Sequence, residues 1–339
     1  MTDVETLIQT TRRLSFFVVL FIISVVGGVI LHLGISLGWF STPDYIQGRY
    51  AEIRSSAEMW QAPDPATIPV NEAGRLIRYG RELIQHTARY LGPEGSVRRI
   101  SNGMNCQNCH LEGGTKPFAA NYSAVASSYP KFRKRSGTVE GFEKRVNDCL
   151  ERSLNGKKLD ESSREMKAMV AYLKWVGKDD AKGKAPEGWG LKALPLLDRA
   201  ANPVTGQTIY GQFCARCHGA SGEGMKSESN IEWKYPPLWG PDSYNTGAGL
   251  FRISKFAAFV KANMPYGISH DNTLLTDEEA WDVAAYVNAM PRPHKQFPGD
   301  WPDVADKPVD HPFGPYADTY SETVHKFGPF HGISSQRKK

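Results

Sequence analysis

Cysteine is scarce in this chain: five residues among 339, and an odd number. No glycine-rich dinucleotide fingerprint, phosphate loop or Ser-His-Asp set is present, so nothing suggests nucleotide chemistry or a serine hydrolase. Charge is not extreme either, with 41 Lys and Arg against 36 Asp and Glu. What is present at the N-terminus is one long uncharged run, Leu14 to Phe40, of 27 positions. As a helix it would span about 40 Å, more than the roughly 30 Å of a bilayer core. Arg12 and Arg13 precede the run, which predicts 1–13 as a cytoplasmic N-terminus, 14–40 as a transmembrane anchor and the remainder as exported. No A-x-A-like cleavage site follows, so a retained anchor is favoured over a signal peptide. This predicts an inner (cytoplasmic) membrane protein held by a single helix, with its domains in the periplasm, where nucleic acid is a poor partner.

Four of the cysteines fall in two pentapeptides, Cys106-Gln107-Asn108-Cys109-His110 and Cys214-Ala215-Arg216-Cys217-His218. Two thiols three positions apart can each bond a vinyl group of one porphyrin while the adjacent imidazole reaches the iron. Cys106, Cys109 and His110, and Cys214, Cys217 and His218, are therefore read as attachment sites for two covalently bound haem c groups, in preference to zinc or a redox dithiol. Export agrees with that, because haem c is attached outside the bacterial cytoplasm.

The surroundings of the motifs repeat. A helical pattern over Ala73–Ile84 matches Thr205–Gly211, with a glycine beside a tyrosine in each (Gly80, Gly211) that would let the helix pack closely. Met169–Trp175 matches Val283–Val287, and Thr276-Asp277-Glu278-Glu279 has the form of a capping box. The fold class predicted is mainly α: two cytochrome c-type haem domains in tandem, 41–176 and 203–290, joined by a linker at 177–202. Residues 291–339, rich in Pro, Gly, His and aromatics, read as an extended arm whose histidines are surface residues.

Each iron needs a second axial ligand. In the second domain Met264, followed by Pro265, lies 46 residues past His218 at the end of a helical pattern. The first domain has no Met-Pro at that place. It has the fifth cysteine, Cys149, 39 residues past His110 on a predicted helix, with Arg145 at i−4 and Arg152 at i+3. Those cations favour a thiolate, which is both a metal ligand and a nucleophile. A buried, inert cysteine with Met166 or Met169 as ligand is the alternative. The predicted iron ligands are thus His110 and Cys149, then His218 and Met264. Thiolate ligation lowers the first potential and methionine raises the second, which gives electrons a direction from one to two.

Between Gly92 and Lys158 twelve Lys and Arg face six acidic residues. Arg135, Ser136, Arg145 and Arg152 fall close in sequence to Cys149, and guanidinium forks with a hydroxyl suit a small oxyanion. With Cys149 these form the predicted catalytic set.

From Ala73 to Pro329 the chain resembles the thiosulfate dehydrogenases of the dihaem cytochrome c type. The segments Ser101–Cys106 and Cys149–Gly156, with the 39-residue spacing, carry the resemblance most specifically. It implies coupling of two thiosulfates to tetrathionate, in either direction, at the His110/Cys149 haem, with electrons leaving through the His218/Met264 haem to a periplasmic or membrane partner such as a cytochrome or oxidase. It also implies that Arg135 and Arg145 hold the anion. A lysine that precedes the methionine in some members is replaced here by Asn263, so no lysine ligand switch is expected. A non-catalytic, membrane-tethered electron carrier and a sulfur-carrier assembly subunit are the competing readings.

Overall fold

The computed structural model describes residues 3–36 and 59–336; the last four positions of the expected anchor and the start of the expected first domain lie outside them. Helices of six residues or more are numbered here. α1 (Asp3–Ser36) is a unit by itself and begins well before the apolar run, inside the stretch read as an N-terminal tail. Its segment Arg12–Ile30 is long and apolar enough to cross a membrane, and the side chains from Leu14 to Ile30 are exposed.

The second unit holds both haem-motif domains, each built on a pair of crossed helices. In the first, α2 (Glu72–Gln85) packs on α4 (Arg164–Val176), and between them in sequence comes α3 (Phe142–Arg152), which carries Cys149. In the second, α5 (Pro203–Phe213) packs on α7 (Asp277–Ala289), with α6 (Ile253–Asn263) alongside. Side-chain caps fix the starts: Asn71 accepts from Gly74 N, Ser163 from Met166 N, Asn202 from Val204 N, and Thr276 and Glu279 close the expected capping box. Two short antiparallel hairpins complete the unit, β1 (Lys131–Arg133) with β2 (Thr138–Glu140) and β3 (Met225–Lys226) with β4 (Trp233–Tyr235).

The helix crossings need glycine, but not both of those expected. A Cβ on Gly80 would sit 1.9 Å from the Ala168 carbonyl oxygen and 2.9 Å from Tyr172 Cβ. Its counterpart is Gly206, whose Cβ would sit 1.9 Å from Asp282 O and 2.9 Å from Tyr286 Cβ; Gly211 meets nothing within 4 Å. Matching the domains by Tyr79 and Tyr210 therefore misplaced the repeat by five residues. The closing helices are the better guide, because Tyr172 and Tyr286 occupy equivalent places against the glycine.

Each domain has its own core. Leu83, Ile84, Leu150, Met166, Met169 and Tyr172 anchor the first; Tyr210, Phe256, Trp281, Val283 and Tyr286 anchor the second. Met166 and Met169 are fully buried in that first core, filling space between helices. The C-terminal arm is not simply extended: it forms α8 (Glu322–Phe327) and α9 (His331–Gln336), and Phe330 and Ile333 join the second core. Nor are its histidines all superficial. His325 is fully buried, stacked on Tyr316, donating from Nδ1 to Val309 O and facing Asp318.

Candidate haem and anion site

Both motif histidines are set up in the same way. His110 Nδ1 donates to the Ala120 carbonyl at 2.5 Å, and His218 Nδ1 donates to the Pro236 carbonyl at 2.8 Å. That fixes the ring orientation and leaves each Nε2 as the free lone pair, the arrangement of a metal-ligating histidine. Burial lowers both, His110 to about 4, so the imidazoles are neutral at ordinary pH. The loop holding Ala120 is itself constrained: Phe118 and Ala120 have φ of 53° and 52°, and their amides donate to Gly188 and Gly190. The stretch read as a linker thus forms the outer wall of the His110 site.

A cavity of about 530 Å³ is lined by Cys214, Cys217, His218 and Met264, with Phe256, Phe259 and Val283 among its apolar walls. Met264 ends α6, where Pro265 stops the helix. The size, the apolar walls and the convergence of two thiols, an imidazole and a thioether fit a haem c. Gln107 and Cys109 of the first motif, with Asn105 just before it, line the same cavity, so both motifs open on one space. The domains are joined around it: Asn263 Nδ2 donates to Phe118 O at 3.1 Å, Lys116 Nζ to Ile268 O at 3.0 Å, and Glu232 accepts from His86, Arg89 and Asn105. Among the described residues no three His, Cys, Asp or Glu side chains converge as a metal cluster, and none of the five cysteines is in a disulfide.

Cys149 lies close to the first motif. Burial pushes Cys106 and Cys109 up to about 12, and the charge of Cys149 adds to both. The same charge is the main reason that Arg145, one turn earlier on α3, is raised above its usual value. The Arg145 side chain makes no hydrogen bond or ion pair among the described residues; Cys149 is the charge that acts on it most, with Tyr129, Asp148 and Glu140 contributing less.

The other predicted anion residues are placed differently. Arg152 is buried and gives both Nη groups to Asp300, at 2.7 Å each, while Nε faces Asp148 at 3.7 Å and the guanidinium lies 3.7 Å over the Phe297 ring. Ser136 spends its hydroxyl inside the β1–β2 turn, on Arg133 O and Thr138 Oγ1. Arg135 is intermediate: Nη1 donates to Gly247 O, Nε is 3.9 Å from Asp300, and burial with the neighbouring Arg152 lowers it to about 10. Asp300 and Phe297 are the residues that sequence reasoning missed. Asp300 is 148 positions from the arginine that it holds and sits in an aperiodic arm, so no local pattern could mark it.

Comparison with known proteins gives two cytochrome c domains over the same stretches. Residues 96–180 match the cytochrome c domain of the SoxA/TsdA type, and 203–291 match the cytochrome c domain. A thiosulfate dehydrogenase of Psychrobacter arcticus is 38% identical over 251 residues, 73% of each chain. That of Allochromatium vinosum is 37% identical over 240 residues, 70% of this chain and 85% of the relative. Among solved structures, thiosulfate dehydrogenase (TsdBA) from Marichromatium purpuratum in its "as isolated" form superposes with a TM-score of 0.65 at 32% identity, covering 76% of this chain. The present chain spans about half the length (53%) of that one.

Proposed function

The chain belongs to the thiosulfate dehydrogenase family, and from that premise we propose that it couples two thiosulfates into tetrathionate at the Cys149 site, releasing two electrons. The observation that supports this most directly is the pairing of Cys149 with Arg145, whose side chain makes no hydrogen bond or ion pair among the described residues: a nucleophile beside a cation open to an anion.

Bound haem supplies the one-electron acceptors that the oxidation needs, held by Cys106, Cys109 and His110 with Cys149, and by Cys214, Cys217 and His218 with Met264. The chain's own residues do the rest. Arg145 draws thiosulfate in and holds it with its outer sulfur towards Cys149; Arg135 adds positive charge at the rim. The Cys149 sulfur forms a bond to that outer sulfur as two electrons leave, giving a cysteine S-thiosulfonate. A second thiosulfate then attacks the outer sulfur of the adduct, tetrathionate departs, and Cys149 is restored as the thiolate. Run backwards, the same two steps reduce tetrathionate. The cavity shared by the two motifs supports short-range electron passage from the first domain to the second, and from there to a cytochrome or oxidase. α1 serves as an anchor in the cytoplasmic membrane, with the haem domains in the periplasm.

The test uses the purified holoprotein with ferricyanide as final acceptor, following haem reduction by thiosulfate and assaying tetrathionate as product. Sustained turnover is the expected result. Cys149→Gly should abolish it while both haems remain attached. Haems that are reducible by dithionite but inert to thiosulfate and tetrathionate would instead mark an electron carrier.

A further inference from the structure

The anion site is not completed by the domain that carries Cys149. Its outer side is formed by residues 297–302, which leave the second domain on the C-terminal arm and cross to α3 and to the β1–β2 turn. Asp300 accepts from both Nη atoms of Arg152 at 2.7 Å and stands 3.9 Å from Arg135 Nε. Phe297 lies under the Arg152 guanidinium at 3.7 Å. Trp301 N donates to Arg135 O at 2.6 Å, and its ring lies 5.4 Å from the Arg135 guanidinium. A Cβ on Gly137 would meet Pro302 Cγ at 2.7 Å, so the turn and the arm are in close contact. Trp301 holds φ at 60°, a conformation that a bulky residue keeps only where its surroundings impose it.

We propose that Asp300 is a positioning residue for oxyanion binding at the Cys149 site, fixing Arg152 and backing Arg135 so that Arg145 alone is left to take the anion. The proposal rests on the function given above. Three arginines near one half-buried cysteine repel one another and, without a counter-charge, would turn towards solvent or collapse onto the first anion in unsuited geometry. A bidentate carboxylate locks one fork and restrains the second, so the site is preorganised before substrate arrives. The opposite role can be stated as sharply: if Asp300 merely competed with the substrate as a second anion, its removal would tighten binding.

The sign of the effect decides between them. Full-length protein carrying both haems, reduced beforehand so that no turnover can occur, is titrated with thiosulfate by calorimetry. The series comprises wild type, Asp300→Ala, Asp300→Asn, Asp300→Glu, and Asp306→Ala as a control that removes the Lys134–Asp306 pair of the same arm. The Ala and Asn variants should bind about tenfold more weakly, with KM raised more than kcat is lowered, and Glu should recover part of the loss. Asp306→Ala should bind as wild type does, and haem content and the spectrum of the thiolate-ligated haem should not change in any variant. Should Asp300→Ala fail to mature, the near-isosteric Asn variant carries the measurement. Equal or tighter binding in the Asp300 variants would overturn the proposal, as would a matching loss in Asp306→Ala. If wild type binds thiosulfate but never forms tetrathionate, the functional reading falls while the affinity ratios still judge Asp300; if it does not bind thiosulfate at all, both fall.

Discussion

Arg135, Arg145 and Arg152 are equivalent on paper: all are basic, and all are near Cys149 in sequence. Their partners divide them. Arg152 is neutralised by Asp300 and Asp148, Arg135 is half committed, and the Arg145 side chain makes no ion pair among the described residues, with Cys149 the charge that acts on it most. Loss of Arg145 should therefore cost most in catalysis. Arg145→Ala is expected to lower kcat/KM for thiosulfate by about 100-fold, with haem reduction by a small neutral donor unchanged; Arg145→Lys should recover only part, because an ammonium lacks the planar fork. Steady-state kinetics of the two variants checks this, and an unchanged KM in Arg145→Ala would remove the arginine from the site.

At the level of elements, the glycine contacts offer a test that the repeat itself sets up. Gly206→Ala drives a methyl into the Asp282 carbonyl at 1.9 Å and should destabilise the second domain by several kcal/mol or prevent its maturation. Gly211→Ala, on the same helix with open space around it, should be neutral or stabilise by about 0.5–1 kcal/mol. Thermal melts of the two holoproteins separate these cases. The arm offers a pH test. His311 is held at about 4 by burial; its Nε2 accepts from Trp301 Nε1, and Nδ1 donates to Phe313 O. Protonation breaks the Trp301 bond. Because the folded value lies below the ordinary 6.5, the unfolded chain takes up the proton first as pH falls. The stabilisation is full above about 6.5 and is lost on the way down to 4, by at most about 3 kcal/mol. The protection factor of the Trp301 amide, that is its exchange corrected for the intrinsic pH dependence, should fall over that window, and His311→Gln should flatten the dependence.

On the scale of the whole molecule, the two haem domains are not separable modules. They share one cavity wall, and the second lends its arm to the arginine cluster beside Cys149 in the first. The N-terminal helix is the separable part, since it forms a unit apart from the one that holds both cores. Removing residues 1–57 should leave a protein that stays in the supernatant after membranes are pelleted, carries two haems by pyridine haemochrome assay and turns over thiosulfate at a rate within about twofold of the full chain. Fractionation of cells expressing both forms checks the localisation at the same time.

Short-range chemistry was legible in the sequence for a physical reason. Haem attachment demands two thiols and an imidazole within five residues, a capping box spans four, and an apolar helix long enough to cross a bilayer is one uninterrupted run. Cys149 and Met264 could be singled out because each stands in a helical pattern whose face can be counted. Register between the two domains could not be read this way: a tyrosine recurs beside glycine by coincidence at Gly211, and only contact with Asp282 identifies Gly206 as the residue that the crossing requires. The same limit applied to the arginines. Which of three like charges is free depends on where one carboxylate lands, and Asp300 reaches Arg152 only because an aperiodic arm folds back across the domain boundary. Covalent and helical constraints act over a few residues and leave a trace in spacing, whereas charge compensation acts through space and is settled when distant segments pack.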